Sequence, residues 1–173
     1  MRLTAGIAVY RDNDLRIMHD QRRFYEGLEL KDAITYAASG LNANGRINSH
    51  QRRLGVKTLR KSARIMESLY PAIQKKTSFA GIFEITEAVK SEMKGLGDLW
   101  SYDTALRIAF NRGEKYYPQS VFIQQAVTKG IKRIFPKMTI NNRSLPSSAF
   151  PKAIQQLQPY EIENFLCVWG KKK

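Results

Sequence analysis

Two side chains of this sequence are candidates for acid–base chemistry. His50 directly precedes a Gln-Arg-Arg run, where it can act as a general base or bind a phosphate; the alternative is a hydrogen-bonding residue at a helix start. Asp103 follows Tyr102 in the first turns of an expected helix, where it can activate water for attack on a sugar carbon or pair with Arg107 at i+4. His50, Tyr102 and Asp103 are therefore the candidate catalytic residues.

Two glycines lie just before that helix. In Lys94-Gly95-Leu96-Gly97 they flank one apolar residue, which lets the backbone turn sharply and leaves consecutive N–H groups pointing outward. The following helix adds the positive end of its dipole, so the backbone alone can hold a nucleic-acid phosphate without reading the base sequence. Asp98, at the helix start, is explained by capping. The spacing predicts a phosphate-binding hairpin formed by Lys94, Gly95, Leu96 and Gly97.

The positive charge of the chain falls in two blocks. The 29 Lys and Arg residues outnumber the 15 Asp and Glu residues, which gives a formal net charge of +14 and predicts attraction to polyanions. Nine Lys/Arg face one acid over residues 46–76, and eight face one acid over residues 112–152. We expect nucleic-acid contacts from Arg52, Arg53, Lys57, Arg60, Lys129, Lys132 and Arg133.

Apolar residues recur every three to four positions over most of the chain, which predicts a mainly α fold. Helices over 82–93 and from Leu99 onward flank the glycines, so the local pattern is helix, hairpin, helix. For 173 residues we expect a single helical nucleic-acid-binding domain, 1–173, with its helix-hairpin-helix core at about 82–135. The domain is expected to be a compact helical bundle of one or two lobes.

The two ends of the chain carry further expectations. The residues Ile7-Ala8-Val9-Tyr10 predict a short strand or an extended N-terminal arm over about 1–14. In the second half, helices are expected from Val121 to Phe135, from Phe150 to Leu157 and from Pro159 to Trp169. The final residues, Lys171-Lys172-Lys173, are expected to form a frayed tail over 171–173.

Nothing in the sequence indicates a cofactor, a metal or a membrane. One Cys and two His cannot form a zinc site, and no Walker, dinucleotide-fold or serine-triad pattern occurs. Cys167 cannot form an internal disulfide, and packing explains it within its apolar run. No apolar run approaches the roughly 18 residues of a spanning helix, and no signal-like segment is present. We expect a soluble, intracellular, cytoplasmic protein without cofactors.

Four segments between Ile85 and Phe135 follow one another in a familiar order: Met93-Lys94-Gly95-Leu96-Gly97, then Ser101, then Tyr117-Pro118-Gln119-Ser120-Val121, then Lys132-Arg133-Ile134-Phe135. This order resembles the helix-hairpin-helix module of the DNA glycosylase superfamily, over about a third of the chain. The resemblance implies a helical body that clamps a DNA strand through hairpin amides. The family's catalytic aspartate falls where this chain has Gln119 and Ser120. The nucleophilic lysine of some members falls at Asp98 and Leu99, so the resemblance implies the fold and the DNA contact rather than the reaction.

The sequence supports three hypotheses of function. The first is a DNA-binding protein that grips the phosphate backbone through the hairpin and the basic helices; about six neutralised phosphates give a log–log salt slope near −5. The second is a DNA glycosylase-like base-processing or repair enzyme that uses His50 and Asp103. The alternative is an RNA- or ribosome-associated binding protein without catalysis. DNA is favoured over RNA, and the oligomeric state stays open. Trp100, Tyr116 and Tyr117 can stack on bases or belong to the core.

Overall fold

The structure, a computed structural model, describes residues 3–171 and is mainly helical, as the sequence predicted. In this range no helix is both long and apolar enough to cross a membrane. The α-helices in chain order are α1 (Leu3–Tyr10), α2 (Arg16–Glu26), α3 (Leu30–Ser39), α4 (Val56–Ser68), α5 (Tyr70–Gln74), α6 (Phe79–Glu92), α7 (Asp98–Arg112), α8 (Gln125–Ile134) and α9 (Pro159–Lys171). Two short strands, β1 (Val121–Phe122) and β2 (Ser144–Leu145), pair in antiparallel fashion, with Val121 opposite Leu145.

The chain divides into two compact units, with boundaries after His19 and after Tyr117. The central unit, residues 20–117, holds most of α2 and all of α3 to α7, including the glycine hairpin. The terminal unit combines the chain up to His19 with the chain from Pro118 onward, so it holds α1, α8, α9 and both strands. That the whole chain acts as a single domain stays a prediction.

The central unit is built on α3, whose buried face consists of three alanines and Ile34. Ala33, Ala37 and Ala38 are fully buried, which lets α4 and α7 pack closely against this helix. Trp100 of α7 donates its indole N–H to the Ala38 carbonyl at 2.9 Å. Gly40 ends α3 in the left-handed conformation, with φ of 69°. The alanine face of α3 therefore sets the position of α7.

Two polar contacts fix the ends of α6 and α7 that lie away from the hairpin. Ser78 caps α6, because its hydroxyl accepts a hydrogen bond from the Gly81 N–H at 3.2 Å. Arg112, in the last turn of α7, donates to carbonyls at the C-terminal end of α5, including that of Ile73 at 2.9 Å. α6 and α7 pack against each other, and the hairpin joins the end of α6 to the start of α7. The hairpin is therefore held by helices on both sides.

The terminal unit depends on a close crossing of α8 and α9. A Cβ atom added at Gly130 of α8 would lie 2.1 Å from the Leu166 carbonyl oxygen, and one added at Gly170 of α9 would lie 2.6 Å from the Ala126 carbonyl oxygen. A side chain at either position would force the two helices apart. The apolar core beside the crossing includes Ile7, Val127, Ile131, Ile162 and Phe165.

The N-terminal residues are helical, so the predicted strand or extended arm over 1–14 is wrong. Gly6, Ile7 and Tyr10 are the buried residues of α1, and their spacing follows the helical period. A wider helical turn, Arg11–Leu15, continues from α1 into α2. The continuous apolar run at Ile7–Tyr10 was ambiguous, because a short apolar run fits a buried helix as well as a strand. Residues 1 and 2 lie outside the described residues.

Three elements of the second half also differ from expectation. The helix expected from Val121 begins only at Gln125, because Val121 and Phe122 pair with β2 instead. The segment from Phe150 to Leu157 forms turns rather than the expected helix; Phe150 itself is extended before Pro151. α9 is confirmed but continues to Lys171, which was assigned to the tail; Lys172 and Lys173 lie outside the described residues.

Candidate nucleic-acid interface

The hairpin between α6 and α7 has the sharp backbone turn that the glycines predicted. Gly95 has a φ of 100°, a left-handed conformation that side-chain-bearing residues rarely adopt. The Leu96 N–H closes the turn by donating to the Met93 carbonyl at 3.3 Å. Gly97 is extended, and its carbonyl accepts the first helical hydrogen bond of α7, from the Trp100 N–H at 2.9 Å. Both glycines are solvent-exposed.

The backbone N–H groups of this turn are available to a ligand. Within residues 3–171 the amides of Gly95 and Gly97 donate to no other group. α7 begins at the next residue, so the positive end of its dipole lies at the same place. Lys94 is exposed and forms no ion pair with any described residue. The turn therefore combines the unused amides of Gly95 and Gly97, the N-terminus of α7 and the exposed ammonium group of Lys94.

A network of side chains closes the base of the hairpin. Lys90, near the end of α6, contacts Asp98, the first residue of α7, with Nζ 2.7 Å from Oδ1. The same ammonium group lies 3.0 Å from both carboxylate oxygens of Glu87, and Ser101 donates its hydroxyl to Glu87 as well. Burial opposes the charge of Lys90, but its hydrogen bonds to Asp98 and Glu87 raise its pKa overall. Asp98 thus joins the two helices.

The first turn of α4 lies against the hairpin. A Cβ atom built at Gly95 would lie 4.0 Å from Cγ2 of Thr58. Four cations on α4 at i, i+3, i+4 and i+7 form one exposed stripe that begins beside Thr58, and Arg52 and Arg53 are exposed in the turn before the helix. Within the described part of the chain none of these six cations forms an ion pair. We call the stripe of Lys57, Arg60, Lys61 and Arg64 the α4 stripe.

His50 and Asp103 meet, although 53 residues separate them in the sequence. His50 Nε2 lies 2.6 Å from Asp103 Oδ2, and the His50 side chain is 38% exposed. Gln51 donates to the same oxygen at 3.2 Å, and Arg107 does so at 3.4 Å. Arg107 also donates to the Gln51 side-chain carbonyl at 3.3 Å, so the four side chains form one network. The i+4 pair of Asp103 and Arg107 that the sequence offered is confirmed.

The chain on either side of His50 is fixed by Gly40. Asn48 donates both its backbone N–H and its side-chain amide to the Gly40 carbonyl, at 2.8 and 2.7 Å. The side chain of Gln51 fills the space beside Gly40, where an added Cβ would lie 1.9 Å from Oε1. His50 therefore contacts Asp103 from a segment that is held against Gly40 by Asn48 on one side and Gln51 on the other.

The charge of Asp103 is maintained against burial. Burial disfavours the carboxylate, but the Arg107 guanidinium and the hydrogen bonds from His50 and Gln51 outweigh it and hold the pKa of Asp103 below its ordinary value. His50, Gln51 and Arg107 all donate to Oδ2 of Asp103, and no group within residues 3–171 donates to its Oδ1. Because the carboxylate is ionised and can only accept, Nε2 of His50 donates the hydrogen of their bond, and Nδ1 bonds to none of the described residues.

Tyr102 does not join this pair. It is fully buried and packs edge-on against Phe79 and Phe83 of α6. The three aromatic residues that the sequence offered for base stacking, Trp100, Tyr116 and Tyr117, are also core residues. Each is at most 6% exposed, so none of their rings can stack on a base in the folded protein. The sequence placed Tyr102 beside Asp103, but adjacent residues of a helix point in directions about 100° apart.

The second basic block lies in the terminal unit. Lys129 and Lys132 are exposed on α8, opposite the buried residues Val127 and Ile131. Arg133 is exposed as well, but its guanidinium donates to the Trp169 carbonyl of α9. The predicted nucleic-acid contacts are therefore divided between the two units, and their roles stay predictions.

Two residues of the site were not predicted by the sequence. Gln51 bridges Arg107 and Asp103, and Thr58 brings the α4 stripe to the hairpin. Neither residue belongs to a motif, and each matters through a contact made across the fold. The buried arginine at i+4 from Asp103 was a signal for part of this network, since a buried guanidinium requires an acid partner.

We predict that Asp103→Asn lowers the free energy of unfolding by roughly 1.5–3 kcal/mol at pH 7, because Arg107 and His50 lose a charged acceptor. The folded-state pKa of Asp103 lies below the ordinary 3.8, so its ionisation stabilises the fold above pH 3.8 and that contribution is lost as the pH falls further. Urea titrations of wild type and variant should therefore converge below about pH 4.

Asp20→Asn is the matched control, since Asp20 is 57% exposed and pairs only with Arg23 on its own helix. That change should cost less than about 1 kcal/mol. Equal stability losses for the two variants would show that the contacts of Asp103 contribute no more than an exposed ion pair.

No protein-family model, no curated protein and no solved structure matches this chain. The geometry and charge of the described residues are therefore the basis for assigning a function. Of the features described, the hairpin with its unused amides and the His50–Asp103 pair are the two that can act on a ligand.

Proposed function

We propose that the protein binds DNA by gripping its phosphate backbone at the hairpin between α6 and α7. The observation that carries this proposal is the pair of exposed, unbonded amides at Gly95 and Gly97, with the first turn of α4 alongside. A phosphate oxygen accepts hydrogen bonds from such amides without any side chain having to reorganise. Binding of this kind fixes the strand in place but does not read its bases.

The α4 stripe extends the grip along the strand. Its first member, Lys57, is next to Thr58 and hence to the hairpin, while its last, Arg64, lies about 10 Å further along the helix axis. That length exceeds the spacing of adjacent phosphates on one strand, so the stripe can contact more than one of them. Since these cations have no acid partners among the described residues, a phosphate gains their full attraction.

DNA is proposed over RNA because of the resemblance to the DNA glycosylase module, which covers the hairpin and both helices around it. An RNA- or ribosome-associated role without catalysis is the competing proposal, since amides and cations bind either backbone. Competition between a DNA duplex and a structured RNA of equal length at fixed salt separates the two.

A second candidate function is base processing on the DNA held at the hairpin. The observation that favours it is the contact between His50 and Asp103, which uses Nε2 of a 38% exposed imidazole and leaves Nδ1 without a described partner. Asp103 lies about 7.5 Å along the α7 axis from Asp98 and so close to the hairpin. A carboxylate-oriented histidine can remove a proton from water, which would then attack C1′ of a nucleotide extruded from the duplex; the glycosidic bond breaks, and the base leaves with its electron pair and takes up a proton.

The hairpin can be tested with two glycines whose φ angles are close to each other, 100° at Gly95 and 90° at Gly113. We predict that Gly95→Ala weakens duplex binding at least fivefold, because an alanine at φ of 100° forces the turn to rearrange and moves the amides. Fluorescence anisotropy with a labelled duplex of about 20 base pairs measures the affinity.

Gly113→Ala is the control for that strain. Gly113 has a φ of 90°, and an added Cβ there meets nothing within 4 Å, but the residue follows the far end of α7. This variant should be destabilised to a similar degree and should keep wild-type affinity. Equal loss of affinity in the two variants would argue against binding at the hairpin.

The number of phosphates that the protein neutralises can be measured from the salt dependence of its affinity for DNA. We predict a log–log slope near −5 for the wild type and a slope about 0.9 less steep for Lys57→Gln, because one fewer phosphate is neutralised. Lys31→Gln is the control, since Lys31 pairs with Glu67 at the other end of α4. A flat salt dependence in the wild type would rule out backbone binding.

Base processing has its own test. We predict that the wild type releases base from a duplex carrying a damaged or modified base, and that His50→Gln abolishes release while keeping duplex affinity within about twofold. Glutamine can still donate to Asp103 but cannot take up a proton, so the fold keeps its contact. Chromatography of released bases gives the readout, and no release from any of these duplexes would leave binding alone.

A further inference from the structure

The terminal unit contains an open recess that neither the hairpin nor the His50–Asp103 pair uses. It has a volume of about 550 Å³ and lies where α8 ends. The atoms that line it are almost all apolar, and they belong to Ile134, Phe135, Pro136, Lys137 and Met138. A solvent-facing apolar recess in a chain of high positive charge calls for an explanation.

The backbone holds this recess in shape. The Phe135 N–H donates to the Ile131 carbonyl at 2.7 Å, and the Phe135 carbonyl accepts from the Met138 N–H at 3.0 Å. Residues 135–138 thus form a β-turn with Pro136 in its second position, where the fixed φ of proline is favoured. Phe135 and Met138 are only partly buried against the core of the unit, so part of each side chain faces the recess.

The surroundings of the recess are positively charged. The sequence has no acid between Glu114 and Glu161, and seven Lys/Arg lie in that interval. Lys137 lines the recess itself, while Lys132 and Lys129 are exposed within the two preceding turns of α8. Among the described residues these three lysines form no ion pair. We therefore expect a ligand that has an apolar, uncharged group for the recess and negative charges on either side of that group.

We propose that the recess holds one unpaired nucleobase of a single-stranded nucleic acid, with the adjoining phosphates on Lys132 and Lys137. A base has flat apolar faces that stack on an aromatic ring such as Phe135 and leave its edge in water. The C-terminal end of α8, with its partial negative charge, lies at the recess and disfavours a phosphate inside it. A neutral base between flanking phosphates meets both conditions.

A membrane surface does not fit the same features. Helices that lie on a bilayer insert apolar side chains that project from the surface. In α8 the apolar residues Val127 and Ile131 are fully buried in the unit, and the exposed face carries lysines. The exposed apolar atoms are thus confined to the shallow recess at the end of the helix and do not form an apolar helix face of the kind that lies on a bilayer.

The test compares two decamers of equal charge with the full chain. One is oligothymidylate, and the other carries tetrahydrofuran in place of every base, so only base contacts differ between them. We expect the wild type to bind oligothymidylate at least about fivefold more tightly, in keeping with one stacked base. Phe135→Leu, which keeps an apolar side chain but removes the ring, should abolish most of that preference and leave the affinity for the base-free decamer unchanged.

Lys132→Gln is the matched control, and it should weaken both decamers by the same factor because it contacts phosphate only. Decauridylate, measured in parallel, shows whether RNA serves as the source of the base. Equal affinity for the two decamers would overturn the proposal, as would polyglutamate binding as tight as oligothymidylate, which would indicate an acidic protein partner.

Two measurements keep the proposal testable if Phe135→Leu disturbs folding. A decamer with one 5-iododeoxyuridine, photocrosslinked to the wild type, should label the peptide containing residues 134–138; labelling confined to other peptides would overturn the proposal. The recess is also independent of the hairpin. Lys94→Gln in the central unit should weaken both decamers equally, so failure of backbone binding there would leave the base preference intact.

Discussion

The central unit depends on the contact between α7 and the alanine face of α3. Trp100, Asp103 and Arg107 recur on one side of α7, and two of them donate to carbonyls of α3, Trp100 to Ala38 and Arg107 to Ala37. Because an α-helix is stiff, fixing this face also fixes the position of the helix N-terminus and therefore of the hairpin. A bulkier residue at either alanine would displace the hairpin and the His50–Asp103 pair together, although neither site touches those side chains.

The buried Arg107 explains why an acid lies close to a surface that should attract phosphate. A guanidinium that is 4% exposed requires an acceptor, and Asp103 supplies one at the cost of negative charge near the hairpin. Gln51 and His50 donate to the same carboxylate oxygen and spread that charge over further donors. The network is thus needed for folding before it is available for chemistry. This is why a loss of activity on changing Asp103 is weak evidence for catalysis, whereas His50, which is more exposed, can be changed with less effect on the fold.

The sequence predicted the helices better than it predicted their partners. The periodic apolar residues of α6 and α7 act through local spacing, and the structure has these two helices on either side of the glycines, where they were expected. The strand at Val121–Phe122 was missed because its partner is distant in the sequence. The pairing of His50 with Asp103 lies between these cases: each residue was singled out for its own chemistry, but no local pattern could join them. Tyr102 shows the reverse error, since closeness in sequence was taken for closeness in space.

The two proposed sites differ in the part of a nucleic acid that each would bind. In the central unit the donors are backbone amides and the cations of the α4 stripe, which under the proposal would bind phosphate without reading the bases. In the terminal unit a lysine lines an apolar recess, which under the second proposal would distinguish a strand with an accessible base from one whose bases are paired. A duplex satisfies the first kind of site completely and the second only where a base has left the stack. If both proposals hold, charge would supply the attraction to any nucleic acid, and the recess would supply a preference for one that is locally unpaired.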